Sequence, residues 1–163
     1  MYRAAALAAA LLPTLAGAKS WNGIEPGVSK LDDVVQKFGE PSKRVRSEGV
    51  EILAYLGDKA IRGTQQSQFK VNPASQVVER IDVFPGPVID KDAVENTYGR
   101  SCPPGPPPGA GCYVKKVTDD FRTYFQYAKL GLAVFFSDDG KTVQSFIFTQ
   151  PKSDTSGAAR AAH

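Results

Sequence analysis

The sequence predicts an α+β fold of two tandem units. Each is a helix packed on a three- to four-stranded antiparallel sheet, and the two sheets run together as one curved sheet. Three observations carry this. First, two short segments with apolar residues at helical spacing each end in glycine: Leu31, Val34, Val35 and Phe38 before Gly39, and Ala93, Val94, Thr97 and Tyr98 before Gly99. Second, each is followed by segments rich in alternating apolar residues and separated by turn residues. Third, the halves can be laid over each other. Val34, Phe38 and Gly39 match Val94, Tyr98 and Gly99 at one offset, and Phe69, Val77, Ile81 and Pro85 match Phe135, Val143, Ile147 and Pro151 at a slightly larger one.

Taken in order, residues 29–38 read as a helix with Ser29 as N-cap and Asp32 as a short-armed capping-box partner, stopped by Gly39 and Pro41. Lys43, Arg44 and Arg46 follow as a basic cluster on a solvated loop. Strands are predicted over 50–56, 65–71 and 77–84, with Asn72-Pro73-Ala74-Ser75 as the turn between the last two. Asp90 caps the second helix. Strands follow over 117–128 (long and bent), 132–137 and 142–149, with Asp138-Asp139-Gly140 as a hairpin turn. The units so defined are residues 19–86 and 87–152, and the Ala-, Ser- and Gly-rich tail 153–163 is expected to be disordered.

The N-terminus directs the chain out of the cytoplasm. Arg3 precedes an apolar run from Ala4 to Leu15, and Ala16-Gly17-Ala18 is a small-residue cleavage signal, which places cleavage after Ala18. The run falls short of the roughly 20 residues that cross a bilayer core of about 30 Å. Pro13 and the small residues after it argue against a buried or anchoring helix. No cysteine follows the cleavage site, so no lipid anchor is expected, and no later segment is apolar enough to span a membrane. The expected location is periplasmic or secreted.

Cys102 and Cys112 are the two cysteines, and they flank a loop of proline, glycine and alanine. In an oxidising compartment an isolated pair this close reads as a structural disulfide. Closing so short a loop stabilises by roughly 3 kcal/mol on loop-entropy grounds. A redox pair more often has Cys-x-x-Cys spacing. A metal site needs more ligands than two thiols, and the one histidine is His163. No cofactor or metal is implied. Twenty Lys and Arg against seventeen Asp and Glu give none of the basic bias of a nucleic-acid binder.

A helix closing on Phe38-Gly39-Glu40-Pro41, a Tyr-bearing strand, and a hairpin closing on Ile81-Asp82-Val83 resemble the β-lactamase-inhibitor-like fold and the small outer-membrane lipoproteins of the BamE type. The second half is the closer match to the inhibitors, with Tyr98-Gly99-Arg100-Ser101-Cys102, a loop to Cys112, and Leu132-Ala133-Val134-Phe135-Phe136 in that family's order. The resemblance covers most of residues 23–151. It implies helix-plus-sheet repeats, a short disulfide loop after a helix, and binding of another protein across the open sheet face without catalysis. The inhibitors' acidic-aromatic loop corresponds to Gly57-Asp58-Lys59-Ala60, where a lysine stands in the aromatic's place. β-Lactamase inhibition is therefore not implied, and without an anchor cysteine neither is outer-membrane attachment.

Strand alternation suggests where a partner binds. With Phe69, Val71, Val77, Ile81 and Val83 toward the helix, the opposite face of the first half shows Gln68, Lys70, Arg80 and Asp82. The equivalent positions of the second half are Val134, Phe136, Phe146 and Phe148, an apolar set. Either other parts of the chain cover it or it is a contact surface, with Tyr124 as a polar rim. The expected partner is another envelope or secreted protein. A second reading is a periplasmic carrier holding a small apolar ligand in a cavity lined by Phe136, Phe146 and Phe148. A carboxylate-based hydrolase is the third. The pairs Asp32-Asp33, Asp119-Asp120 and Asp138-Asp139 are adjacent in sequence and are better explained as caps and turns. There is no internal histidine, free thiol or Gly-x-Ser-x-Gly elbow. The chain is accordingly read as a non-enzyme.

Overall fold

Among the described residues the chain forms eight strands, most of them built by alternation of apolar and polar residues broken by glycine and asparagine turns. A computed structural model describes residues 19–104 and 111–151. The segment expected to be a signal sequence, part of the proline loop and all of the tail 153–163 lie outside the described residues. The strands are β1 (Lys43–Ser47), β2 (Val50–Leu56), β3 (Thr64–Val71), β4 (Val78–Pro85), β5 (Val114–Val117), β6 (Thr123–Tyr127), β7 (Leu132–Phe136) and β8 (Val143–Thr149). The described residues also form two eight-residue helices, α1 (Leu31–Phe38) and α2 (Lys91–Tyr98).

The expectation of two tandem helix-on-sheet units is overturned. The strands form one eight-stranded sheet in the order β1-β2-β3-β4-β8-β7-β6-β5, with every neighbouring pair antiparallel. A single hydrophobic core spans it. The sheet dominates on simple dimensions. Eight strands are roughly 35 Å wide, whereas an eight-residue helix is about 12 Å long. Each helix therefore buries little: Leu31 and Val34 from α1, and Val94 from α2.

Register decides which side chains make the core. Leu53, Phe69, Ile81, Phe148, Leu132 and Tyr127 are successive cross-strand partners from β2 to β6, and all six are buried. A second buried row runs Tyr55, Ser67, Val83, Phe146, Val134, Phe125. Directly paired residues lie on one face. Phe146 and Phe148 therefore share the face of Val83 and Ile81, not the opposite one. The sequence alignment of Phe69 with Phe135 is one residue out of step, and such a slip turns every side chain of a strand over.

Several local expectations shift for identifiable reasons. Helix α1 starts two residues later than predicted. Lys30 is its N-cap, and its N–H donates to the Asp33 carboxylate at 2.7 Å, while Ser29 Oγ accepts from the Glu25 N–H at 2.9 Å. β1 was missed because its sequence, Lys-Arg-Val-Arg-Ser, carries no apolar alternation and all five residues are exposed on the sheet edge. The long strand over 117–128 is instead a hairpin, with β5 extending back to Val114. The disulfide joins Cys102 to Cys112 with Cα atoms 4.8 Å apart. Beside it the Cys102 N–H donates to the Tyr113 carbonyl, and the Tyr113 N–H to the Arg100 carbonyl, so the loop is laid against the start of β5. A β-carbon on Gly99 would overlap the Gly111 carbonyl, so only glycine fits where α2 meets this loop.

Each helix end is tied to the sheet by a tyrosine. The Tyr55 hydroxyl donates to the Gly39 carbonyl and the Tyr127 hydroxyl to the Gly99 carbonyl, both at 2.8 Å. Burial, reinforced by the nearby Glu40 carboxylate, pushes Tyr55 up to about 12, and burial moves Tyr127 in the same direction. These groups keep their protons to higher pH in the folded than in the unfolded chain. Their contribution is thus complete below about pH 10 and is lost as pH rises through the folded values. In urea titrations, stability should hold between pH 8 and about 10 and fall steeply toward pH 12. Tyr55→Phe should cost about 1 kcal/mol at neutral pH and flatten that fall.

Candidate binding face

The helices cover one face of the sheet; the other carries the candidate site. Its central row is Ala54, Gln68, Asp82, Ile147, Ala133 and Gln126, again successive partners. On the β3–β4 side this face is polar, as the sequence suggested. Asp82 is only 6% exposed, but Lys70 at 3.2 Å and Arg80 at 2.5 Å neutralise it. Toward β6 the face turns aromatic. Tyr124 and Phe135 are cross-strand partners with rings stacked 4.7 Å apart, and the Arg122 guanidinium lies 5.8 Å from the Phe135 ring centre.

Of the predicted contact residues, Tyr124 alone stands on this face. Val134, Phe136, Phe146 and Phe148 are core residues. Phe136 packs edge-on against Phe125, and Phe146 lies against Tyr98 of α2. Packed there, they offer no surface to a partner. The residues that take their place on the open face are Ala133, Phe135, Ser145 and Ile147.

The β5–β6 hairpin projects beside this aromatic patch. Its loop is Asp119-Asp120-Phe121, closed by the Thr118 N–H donating to the Arg122 carbonyl and the Phe121 N–H donating to the Thr118 carbonyl, both at 2.9 Å. Asp120 accepts from the Thr118 hydroxyl and from Arg122 Nε at 2.7 Å, and these bonds, the Thr118 one foremost, hold its carboxyl below the usual range. Phe121 is 88% exposed and has φ = 61°. The last residue of a three-residue hairpin loop commonly takes this left-handed conformation, and glycine is its default occupant. A bulky aromatic there is strained and gains almost nothing from burial.

Sequence reading missed Phe121 because a continuous strand over 117–128 would hide it among alternating residues. The available signal was Thr-Asp-Asp before it, a turn composition placed between two apolar segments. The loop expected from the resemblance behaves differently. Gly57–Lys59 forms a 3-10 turn folded back on the end of α1, where Lys59 Nζ donates to the Glu40 carbonyl at 3.2 Å. It borders an open cleft of about 720 Å³ lined by Phe38, Glu40, Asp58 and Arg62 among others.

The acidic pairs serve local structure. Asp33 caps α1, Asp120 braces the hairpin, and Asp139 accepts from the Ser137 hydroxyl at 2.7 Å and the Lys141 N–H at 3.0 Å. Among the described residues no group of three or more His, Cys, Asp or Glu side chains is placed to hold a metal ion. None of the described helices is long and apolar enough to cross a membrane.

No family model matches the chain, and no curated protein matches it by sequence. Among solved structures it is similar to the crystal structure of a DUF4309 family protein (YjgB) from Bacillus subtilis. The TM-score is 0.52 at 15% identity, over 78% of this chain and 82% of that one. At this identity the similarity is one of fold. Replacing Phe121 by glycine should leave the fold intact and raise its stability by about 1 kcal/mol, read as a higher urea midpoint at unchanged slope.

Proposed function

We propose that this chain is a non-catalytic protein-binding module that works outside the cytoplasm. It docks another envelope or secreted protein on the β5–β6 hairpin tip and the adjoining Tyr124–Phe135 patch. One observation carries the reading: a large aromatic, Phe121, stands exposed in a conformation that glycine would adopt at lower cost. Folding alone gives no reason for that choice. A rigid aromatic that enters a partner's apolar pocket does, because buried aromatic anchors dominate interface energies. The loop around it is braced by Thr118, Asp120 and Arg122, so little conformational freedom is left to lose on binding. The patch at its base continues the same surface. The export signal read from residues 1–18 and the disulfide support the location, and the resemblance to inhibitor-like envelope proteins that bind across an open sheet face supports the mode.

The test is affinity capture by the mature chain, residues 19–163, from its own cell envelope, in parallel with the Phe121→Gly variant. A stoichiometric protein held by the wild type and lost from the folded, more stable variant is the expected result; the affinity loss should be at least about 30-fold, as for an interface anchor worth 2 kcal/mol or more. A partner held equally by both forms would move the site elsewhere. Capture of nothing by either form would overturn the binding reading itself.

A further inference from the structure

The opposite end of the sheet carries a different surface. Strand β1 pairs with β2 alone among the described strands, and its other side is open. The β1–β2 hairpin turns through two residues, Glu48 at φ 50° and Gly49 at φ 78°. In such a hairpin the flanking residues, here Ser47 and Val50, exchange both main-chain hydrogen bonds. Counting back by two, Val45 and Lys43 also bond inward. Arg44 and Arg46 therefore turn their N–H and C=O groups outward, to the open side. The alternation ends at Ser42, whose N–H turns inward to donate to the Ala54 carbonyl at 2.8 Å and whose hydroxyl oxygen accepts from the Leu56 N–H at 3.0 Å. The edge thus presents two donor–acceptor pairs about 7 Å apart, at strand spacing.

Charge selects what can occupy it. Arg44 is engaged by Glu40 at 3.0 Å and by the buried Glu51 at 3.9 Å. No ion pair among the described residues takes up Lys43 or Arg46. The two stand on opposite faces, Lys43 paired across to Ala54 and Arg46 to Glu51. A second copy of the chain does not fit: antiparallel β1–β1 pairing would set like charges against each other, and the other sheet edge, β5, carries Lys115 and Lys116. Residues 152–163 of the same chain are also the wrong sign, with Lys152 and Arg160 against one acidic side chain, Asp154.

We propose that the open edge of β1 accepts an acidic extended segment of another protein as a ninth strand. Main-chain bonds to Arg44 and Arg46 supply the pairing, and Lys43 and Arg46 attract carboxylates on either face of the added strand. This surface lies at the far edge from Phe121 and does not depend on it.

The probe is a capped hexapeptide of sequence Glu-Glu-Thr-Glu-Glu-Thr, whose carboxylates fall on both faces of a strand, with a lysine-for-glutamate version as control, titrated into the mature chain. Amide hydrogen exchange by NMR is the readout. Saturating acidic peptide should slow exchange roughly tenfold at the Arg44 and Arg46 amides and leave the inward Val45 amide unchanged. Affinity should fall as ionic strength rises from about 0.05 M to about 0.5 M, as screening requires. K43Q/R46Q should bind at least several-fold more weakly. Arg46→Pro removes one outward donor but no ladder bond, and should abolish the protection at Arg44. Phe121→Gly should bind the peptide as the wild type does, which separates this edge from the hairpin site. No binding, binding without protection at Arg44 and Arg46, equal binding of the lysine control, or undiminished binding by K43Q/R46Q would each overturn the proposal. So would protection of those amides through self-association in the absence of peptide.

Discussion

The structure depends on the pairing of β4 with β8. Four cross-strand pairs, Arg80 with Thr149, Ile81 with Phe148, Asp82 with Ile147 and Val83 with Phe146, join two four-stranded segments into one sheet. Ile81, Val83, Phe146 and Phe148 then form the middle of both buried rows, and the hydrophobic core is continuous across the junction. Because directly opposed residues share a face, this register also assigns every other face. It sends Leu132, Val134 and Phe136 inward and leaves Ala133, Phe135 and Tyr124 outside. A shift of one residue would reverse that assignment in half of the molecule.

A sheet closed by helices on one face leaves three kinds of surface to manage, and the chain treats each differently. The polar end of the open face is neutralised internally, with Asp82 between Lys70 and Arg80. The β5 edge is partly covered by Arg100 to Cys102, held there by main-chain bonds to Tyr113 and by the disulfide. The β1 edge has no strand partner beyond β2 among the described residues and is positively charged. Exposed edges invite uncontrolled pairing, and like charge is a common protection against it. The same charge that repels a second copy attracts an acidic strand, so protection and selectivity arise from one set of residues.

Helix ends show how local chemistry is recruited to the larger assembly. Gly39 and Gly99 stop their helices in positive-φ conformations, and the carbonyl of each accepts a tyrosine hydroxyl from the sheet. Trp21, Phe38, Tyr55 and Phe69 pack around the first junction, and Tyr98, Tyr113, Tyr127 and Phe146 around the second. The helices are too short to fold on their own; these aromatic clusters are what hold them to the sheet.

Local information was enough for much of this. Both helices, their glycine stops, the strand Val50–Leu56 and the cysteine pairing follow from spacing, turn residues and proximity in sequence, because each involves near neighbours. β1 was hidden because an edge strand selected for charge has no apolar alternation, and the break at Asp119-Asp120-Phe121 because its flanks are both strand-like. The site residues were legible only at Tyr124. What the amino-acid order determined alone was where the helices, the apolar strands and most tight turns form, since those choices rest on propensities and contacts a few residues apart. What only tertiary structure decided was the union into one sheet and the face on which each aromatic stands. Pairing between β4 and β8 joins residues more than sixty positions apart, and its register is set by how the whole core packs rather than by anything local to either strand.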